Sequence, residues 1–153
     1  MTVDRCAEAD RIVAAARSWI GTPYQHQASC RGAGSDCLGL IRGLWRELYG
    51  AEPEAVPAYT PDWSEADGVE RLLAGAERHL ERVPTEARRP GDLLLFRMRA
   101  GAVAKHVGIM AAGPGGYPTL IHAYSGHAVC ETPLGSAWIW RLAAVFRFPE
   151  EVR

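Results

Sequence analysis

The sequence has few cysteines, and none of them is paired in the way that zinc sites and disulfide scaffolds require. Its 153 residues include 4 cysteines, and none forms a Cys-x-x-Cys pair. Small disulfide-rich domains contain far more cysteine, and structural zinc ligands usually come two to four residues apart. We therefore expect neither a disulfide framework nor a metal site.

The chain also lacks long apolar runs and an excess of positive charge. It has no stretch of about 18 apolar residues that could cross a membrane, and the first ten residues lack the apolar centre of a signal peptide. The 17 basic residues are balanced by 18 acidic ones, whereas a nucleic-acid-binding domain would carry a basic stripe. We therefore predict no nucleic-acid partner, no membrane insertion and synthesis in the cytoplasm.

The patterns that are present indicate one globular α+β domain. A length of 153 residues with 48% apolar residues is typical of a single domain with its own core. Helical patterns cover residues 5–20, a segment capped by Ser35 or Asp36 that runs to Tyr49, and, after an irregular loop over 51–63, a third segment capped by Ser64 and closed by Pro84. Strand patterns cover 92–98, 103–111, 118–124, 128–132 and 143–148. Helices first and strands afterwards predict an α+β fold with an antiparallel sheet.

Cys37 lies in the first turn of the second predicted helix, after a glycine-rich loop over 28–34. Unpaired backbone N–H groups and the helix dipole favour an anion there, and a protonated histidine nearby would lower the thiol pKa further. Such a thiolate would be a nucleophile, and the same N–H groups could hold an oxyanion. The alternative is a small buried apolar residue, as free cysteines often are. Cys30 lies in the loop, with no helix to polarise it, and ranks below Cys37.

Two histidines fall on adjacent predicted strands. Strand alternation puts His106 and Gly108 on one face, where the glycine leaves room beside the imidazole. His122 lies on the next strand, which pairs back through the turn at 113–116, so that the two histidines become cross-strand neighbours. The pair predicts a general base with a partner that orients it, and the alternative is two strand histidines without a catalytic role. His26, His79 and His127 are predicted to lie in a loop, on a helix face and in a turn, without a function.

Three more residues near Cys37 each have two interpretations. Asp36 is either a plain helix N-cap, worth about 1 kcal/mol, or a carboxylate that holds a substrate ammonium group. Ser35 is the alternative cap and, with Asp36, a candidate substrate contact. Tyr24 belongs either to the core or to the site, with its hydroxyl directed at the thiol and the developing oxyanion. Spacing alone does not separate these alternatives.

Together these segments resemble the NlpC family of papain-like cysteine peptidases, the bacterial cell-wall endopeptidases. The matching segments are Trp-Ile-Gly-Thr-Pro-Tyr at 19–24, Ser-Asp-Cys-Leu-Gly-Leu-Ile at 35–41, Arg-Pro-Gly-Asp-Leu-Leu-Leu-Phe at 89–96, His-Val-Gly-Ile-Met at 106–110 and Ile-His-Ala at 121–123. They follow the family order over about two-thirds of the chain. Segments 44–50 and 57–63 resemble the phage-type branch, which includes enzymes encoded with tail genes of phages and gene transfer agents.

The resemblance implies a papain-like fold, with the N-terminal helices packed on the C-terminal sheet. It implies a single catalytic domain over residues 1–153, with a helical insertion at about 51–87. The implied triad has Cys37 as the nucleophile, His106 as the base and His122 as the orienting group, with Tyr24 as a partner of the thiol or the oxyanion. No metal or cofactor is implied.

The implied reaction is hydrolysis of peptidoglycan stem peptides, commonly at the γ-D-glutamyl–diaminopimelate bond. The phage-type segments add the expectation of tail-protein partners and of delivery to the cell wall by a phage-like particle or by lysis. Leu38 departs from the family pattern, in which a serine often follows the cysteine, and predicts a narrower or altered site. Two alternatives stay open: a structural tail-tip protein with a weak or vestigial site, and a thiol amidase or acyltransferase that acts on another amide.

Overall fold

The computed structural model of the protein describes residues 5–56, 59, 68–124 and 126–150, and it contains both helices and strands. The helices are α1 (Arg5–Arg17), α2 (Cys37–Tyr49), α3 (Arg71–His79) and α4 (Ser136–Ile139). The strands are β1 (Ser29–Cys30), β2 (Gly34–Ser35), β3 (Glu81–Val83), β4 (Leu93–Arg97), β5 (Ala104–Ala112), β6 (Pro118–His122), β7 (Cys130–Pro133) and β8 (Leu142–Arg147). The predicted α+β class is confirmed.

Six of these strands form one antiparallel sheet in the order β3-β8-β4-β5-β6-β7. Strand β5 lies between β4 and β6, with Phe96 opposite His106 and Ile109 opposite Ile121. His122 ends β6, and His106 lies near the start of the antiparallel strand β5. The register therefore brings the two histidines to the same end of adjacent strands.

The two faces of the sheet are covered by different parts of the chain, since successive side chains of a strand point to opposite faces. Leu95 and Val107 belong to the core cluster that α1 and α2 cover. Leu94 and Phe96 belong to a second cluster, against which Trp138 of α4 packs. Strand β5 is thus enclosed on both faces.

The first two helices approach each other closely because a glycine faces a tryptophan. A Cβ atom added to Gly43 in α2 would lie 2.0 Å from the ring of Trp19, which follows α1 and is 2% exposed. Backbone hydrogen bonds from Trp19 to Ala16 and from Ile20 to Arg17 tighten the chain into a turn, so that α1 ends at Arg17 and not at residue 20. This packing fixes α2, and hence its first residue, on the sheet.

The third predicted helix is shorter than expected, and its predicted end is wrong. Helix α3 ends at His79, and Glu81–Val83 form β3, in which Val83 pairs with Val145 of β8. Leu80 and Val83 have helical spacing, but the edge of β8 offers this segment backbone hydrogen bonds. Because β8 is distant in the sequence, the local spacing does not reveal this pairing. The predicted cap Ser64 lies outside the described residues.

Several short elements and strand ends also differ from the predictions. Strand β6 ends at His122 and not at residue 124, and β7 begins at Cys130 and not at residue 128. The hairpin of β1 and β2 and the four-residue helix α4 were not predicted. Within the described ranges, no helix combines the length and the apolar character needed to cross a membrane.

Candidate active site

Cys37 is the first residue of α2, and Asp36 is the N-cap of that helix. One carboxylate oxygen of Asp36 accepts a hydrogen bond from the backbone N–H of Gly39 at 2.7 Å, and the other accepts one from the backbone N–H of Gln27 at 2.7 Å. The cap interpretation of Asp36 is confirmed. Because Asp36 is 3% exposed, the contact with a substrate ammonium group stays a prediction.

The loop before α2 is held against the helix by close backbone contacts. The backbone N–H of Asp36 donates to the carbonyl of Ala28 at 3.3 Å, and a Cβ atom added to Gly39 would lie 1.9 Å from the same carbonyl oxygen. Gly39 is therefore the residue that lets the β1–β2 hairpin lie on the first turn of α2. Ser29 adds a hydrogen bond from its hydroxyl to the carbonyl of Gly39 at 2.6 Å.

Ser35 and Tyr24 lie together beside the start of α2. Ser35 is fully buried, and its hydroxyl donates to the carbonyl of Asp36 at 2.8 Å. Tyr24 forms a parallel bridge with Ser35, and its side chain is half-buried against the main core. The structure thus brings both residues near Cys37, while their contact with a substrate, thiol or oxyanion stays a prediction.

The Cys37 thiol contacts the backbone of strand β5 at the residues before and after His106. Its sulfur donates to the carbonyl of Lys105 at 3.7 Å, and the backbone N–H of Val107 lowers the thiol pKa. Because residues 105 and 107 flank His106, the thiol lies beside the backbone of the predicted base. The structure therefore places the thiol of the predicted nucleophile against the backbone of the strand that carries the predicted base.

The ionisation predicted for Cys37 is wrong for the resting protein. Burial is the largest cause that raises the pKa of Cys37, the charge of Asp36 adds to it, and the result is about 12. The N–H groups at the start of the helix act in the opposite direction but do not compensate for the loss of water around the sulfur. Cys37 is therefore a thiol, not a thiolate, at neutral pH in this structure.

His106 and His122 form the predicted cross-strand pair. The Nε2 atom of His106 lies 2.9 Å from the Nδ1 atom of His122, and the Nε2 atom of His122 lies 3.0 Å from the hydroxyl of Thr132. Burial, followed by the charge of His122, lowers the pKa of His106 to about 3. Burial, followed by the charge of His127, lowers the pKa of His122 to about 4. Both imidazoles are therefore neutral at pH 7, as a proton acceptor must be.

Aromatic rings surround the histidine pair. Trp138 stacks on His106 with ring centroids 5.3 Å apart, and it meets His122 edge to face at 5.0 Å. Phe96 and Tyr124 also lie against His106, at 5.9 and 5.7 Å. These rings keep water from the imidazoles, which explains why burial is the main cause of their lowered pKa values.

Leu38, which departs from the resembled family, lines an apolar cavity next to the site. The cavity has a volume of about 470 Å³ and lies between α2, α3 and the sheet, with Ile41, Leu72, Leu95 and Val107 among its lining residues. Leu38 is thus directed into this cavity. No group of three or more histidine, cysteine or acidic side chains placed to hold a metal ion occurs in the described part of the chain.

Three residues at the site were not predicted from the sequence. Tyr59 donates a hydrogen bond from its hydroxyl to Asp36, and His26, predicted to be a loop residue without a function, lies with Nδ1 3.8 Å from the same carboxylate oxygen. Trp138 covers the histidine pair. Tyr59 and Trp138 come from segments without helical or strand periodicity, so no spacing rule points to them. His79 and His127 lie outside this group of contacts with Asp36.

Comparison with known proteins identifies the family and similar folds. The model of the NlpC/P60 family matches residues 21–147. The chain is similar to the NlpC/P60 domain of peptidoglycan hydrolase SagA, with a TM-score of 0.60 and 23% identity over 92% of this chain and 98% of that chain. It is also similar to an NLP/P60 family protein from Staphylococcus aureus, with a TM-score of 0.62 and 20% identity over 99% of this chain and 44% of that one.

A more distant likeness extends to an amidase. An N-acetylmuramoyl-L-alanine amidase from Bacteroides uniformis has a TM-score of 0.54 and 12% identity, over 94% of this chain and the whole of that one. No curated protein sequence matches the chain. At such identities the structural neighbours establish the fold and not the reaction.

Helices packed on an antiparallel sheet, with a cysteine at a helix start beside a pair of strand histidines, define a papain-like fold. With a match over residues 21–147, the chain belongs to the NlpC/P60 family. The resemblance and the papain-like fold stated from the sequence are thereby confirmed. The phage-type branch and the division into one catalytic domain with an insertion stay predictions.

Proposed function

We propose that the protein is a cysteine endopeptidase that hydrolyses peptidoglycan stem peptides at the γ-D-glutamyl–diaminopimelate bond. The observation that carries the proposal is the contact of the Cys37 sulfur with the carbonyl of Lys105, directly before the buried His106–His122 pair. Membership of the NlpC/P60 family and the similar fold of a peptidoglycan hydrolase domain support the substrate class. The choice of bond rests on the sequence resemblance.

Hydrogen bonding in the histidine pair suits a base at Nδ1 of His106. If Nε2 of His106 carries a hydrogen, it donates to Nδ1 of His122, and Nε2 of His122 then donates to the hydroxyl of Thr132. This assignment leaves the Nδ1 lone pair of His106 available to accept a proton. His122 and Thr132 thereby fix the tautomer of the base, which is the role of an orienting group.

The reaction begins with two neutral groups. The Cys37 S–H proton passes to His106 while the sulfur bonds to the amide carbon, because a thiol with so high a pKa does not ionise before attack. The backbone N–H groups at the start of α2 hold the oxyanion. His106 then protonates the leaving amine as the C–N bond breaks. Water next attacks the acyl carbon and gives a proton to His106, and as the C–S bond breaks His106 passes this proton to the sulfur, which releases the acid and restores the thiol.

We also propose that the enzyme acts for a phage-like particle. After synthesis in the cytoplasm, the particle or lysis would bring it to the cell wall, with tail proteins as partners. The support is the resemblance of segments 44–50 and 57–63 to the phage-type branch. A structural role with a weak site is the competing function. Loss of particle assembly with a folded Cys37→Ser variant would support that structural role.

Cleavage of purified peptidoglycan fragments tests the enzymatic proposal. Wild type and Cys30→Ala should cleave them, since Cys30 is exposed in β1, whereas Cys37→Ala should not. Mass analysis of the products distinguishes the bonds: cleavage after D-glutamate leaves alanine and glutamate on the glycan, while an amidase releases the whole stem peptide. Equal cleavage by wild type and Cys37→Ala would contradict the proposal.

A further inference from the structure

Tyr59 belongs to the predicted insertion and is fastened to the loop in front of α2. Its backbone carbonyl accepts hydrogen bonds from the side chains of Gln27 at 2.8 Å and His26 at 2.6 Å. The rings of His26 and Tyr59 meet edge to face, with centroids 5.0 Å apart. Three contacts therefore hold Tyr59 beside residues that lie more than thirty positions earlier in the chain.

The phenol hydroxyl of Tyr59 makes the fourth contact, with the cap of α2. It donates to the Oδ2 atom of Asp36, the same oxygen that accepts from the backbone N–H of Gln27. The Oδ1 atom of Asp36 accepts from Gly39, inside the helix. One carboxylate thus links Tyr59, the loop and the first turn of α2, and the nucleophile Cys37 is the next residue in the chain.

We propose that Tyr59 is a positioning residue for the reaction, because its hydroxyl holds the Asp36 carboxylate and thereby sets the place and the electrostatic surroundings of the Cys37 sulfur. This proposal rests on the proposed function, in which Cys37 is the nucleophile. Tyr59 acts through the Asp36 carboxylate, to which its hydroxyl donates.

The charges around Asp36 explain why one hydroxyl matters. The negative charge of Asp36 raises the pKa of Cys37, and a hydrogen bond donated to a carboxylate spreads that charge. Two other groups face this cluster, His26 and Arg42. The Nδ1 atom of His26 lies 3.8 Å from Asp36. Arg42 is hydrogen-bonded to Glu52, and the charges of Tyr59 and Asp36 help to raise its pKa. All of them remain when only the hydroxyl of Tyr59 is removed.

The test compares Tyr59→Phe with Tyr49→Phe. Tyr49 is the last residue of α2, about 18 Å from Cys37 along a helix that rises about 1.5 Å per residue, and its hydroxyl donates to the carbonyl of Pro149. Each variant keeps its ring and loses one hydrogen bond, and thermal unfolding confirms that both fold. Two quantities are measured: the rate at which iodoacetamide alkylates Cys37 at several pH values, read by peptide mapping, and kcat and KM on peptidoglycan fragments.

Tyr59→Phe should slow alkylation of Cys37 about threefold to tenfold at each pH below the thiol pKa, and should lower kcat by a similar factor with KM within about twofold, since a hydrogen bond to a charged group is lost. Tyr49→Phe should change neither quantity. In an Asp36→Asn background, Tyr59→Phe should have no further effect on alkylation, because the charge through which it acts is absent.

The proposal is overturned if Cys37 is alkylated as fast in Tyr59→Phe as in wild type, or if Tyr49→Phe slows the alkylation of Cys37 equally. It is also overturned if Tyr59→Phe still slows alkylation in the Asp36→Asn background. Alkylation requires no substrate, so this result is independent of the proposed reaction. Failure of the proposed function would instead appear as a wild-type protein that leaves the fragments uncleaved.

Discussion

The Nε2 atom of His106 lies 2.9 Å from the Nδ1 atom of His122, and the indole of Trp138 covers both rings. The second nitrogen of His122 reaches Thr132, so a chain of hydrogen-bond partners runs from Thr132 through His122 to His106. Gly108 leaves room beside His122, since a Cβ atom added there would lie 3.0 Å from the Cβ atom of His122. The orientation of the base therefore depends on strand register and on a few neighbours rather than on a carboxylate.

Loss of the orienting imidazole should remove most of the activity. His122→Ala leaves the Nε2 atom of His106 without its partner, and we expect kcat/KM to fall about 100-fold or more, the usual contribution of an oriented base. Thr132→Val removes only the outer hydrogen bond and should cost about tenfold, or about 1.4 kcal/mol. Kinetics on peptidoglycan fragments measure the loss of kcat/KM in the two variants, and thermal unfolding checks that each variant folds. Activity of His122→Ala within threefold of wild type would rule out the orienting role.

Trp138 should control the acid limb of the activity profile. Trp138→Ala admits water to the imidazoles, so the pKa of His106 should rise from about 3 toward its ordinary value, and the base should be lost at higher pH than in wild type. The pH dependence of kcat/KM and the NMR titration of the histidine ring protons report this shift. Trp140→Ala is the matched control, because Trp140 is 88% exposed and lies two residues further on. An unchanged acid limb in Trp138→Ala would contradict the prediction.

Local patterns in the sequence were sufficient for the parts of the site that depend on one element or on neighbouring strands. A helix cap followed by Cys37, and an alternating strand with His106 opposite a strand with His122, are local features, and both are confirmed. The family resemblance is confirmed by the family match over residues 21–147. These features require no knowledge of what packs on them.

The remaining features depend on distant parts of the chain. The pKa of Cys37 is set by burial under packed elements, which outweighs the helix start that the sequence reveals. Strand β3 exists because β8, more than sixty residues later, offers an edge for pairing. Tyr59 and Trp138 reach the site from segments with no periodic pattern. Composition and spacing do not encode such contacts.

The histidine pair should make the protein less stable in mild acid. Burial lowers the pKa of His106 to about 3 and of His122 to about 4, below the ordinary value of 6.5. Between pH 6.5 and about 4 the two histidines therefore bind more protons in the unfolded chain than in the folded chain. The free energy of unfolding consequently falls as the pH is lowered. The slope is at most about 1.4 kcal/mol per pH unit for each histidine.

Urea unfolding at pH 7.0, 6.0 and 5.0 measures this slope before most carboxylates titrate. A variant that combines His106→Gln with His122→Gln should have a shallower dependence on pH than wild type over this range. Equal slopes in the two proteins would show that the buried imidazoles do not cause the acid sensitivity.

Gly108 should be essential for the geometry of the pair, and substitution should affect both stability and activity. A Cβ atom at this position would lie 2.7 Å from Leu120, 2.9 Å from the carbonyl of Ile121 and 3.0 Å from the Cβ atom of His122. The last two contacts are with a backbone carbonyl and with the Cβ atom of His122, which cannot move aside easily. Gly108→Ala should therefore destabilise the protein by about 1–3 kcal/mol and displace His122. Urea unfolding and kcat/KM measure the two effects. Gly135→Ala is the control, since nothing lies within 4 Å of its added Cβ atom and its φ of −83° suits alanine. If Gly108→Ala kept wild-type stability and activity, as Gly135→Ala should, the close approach of β5 and β6 would not be what positions His106 and His122.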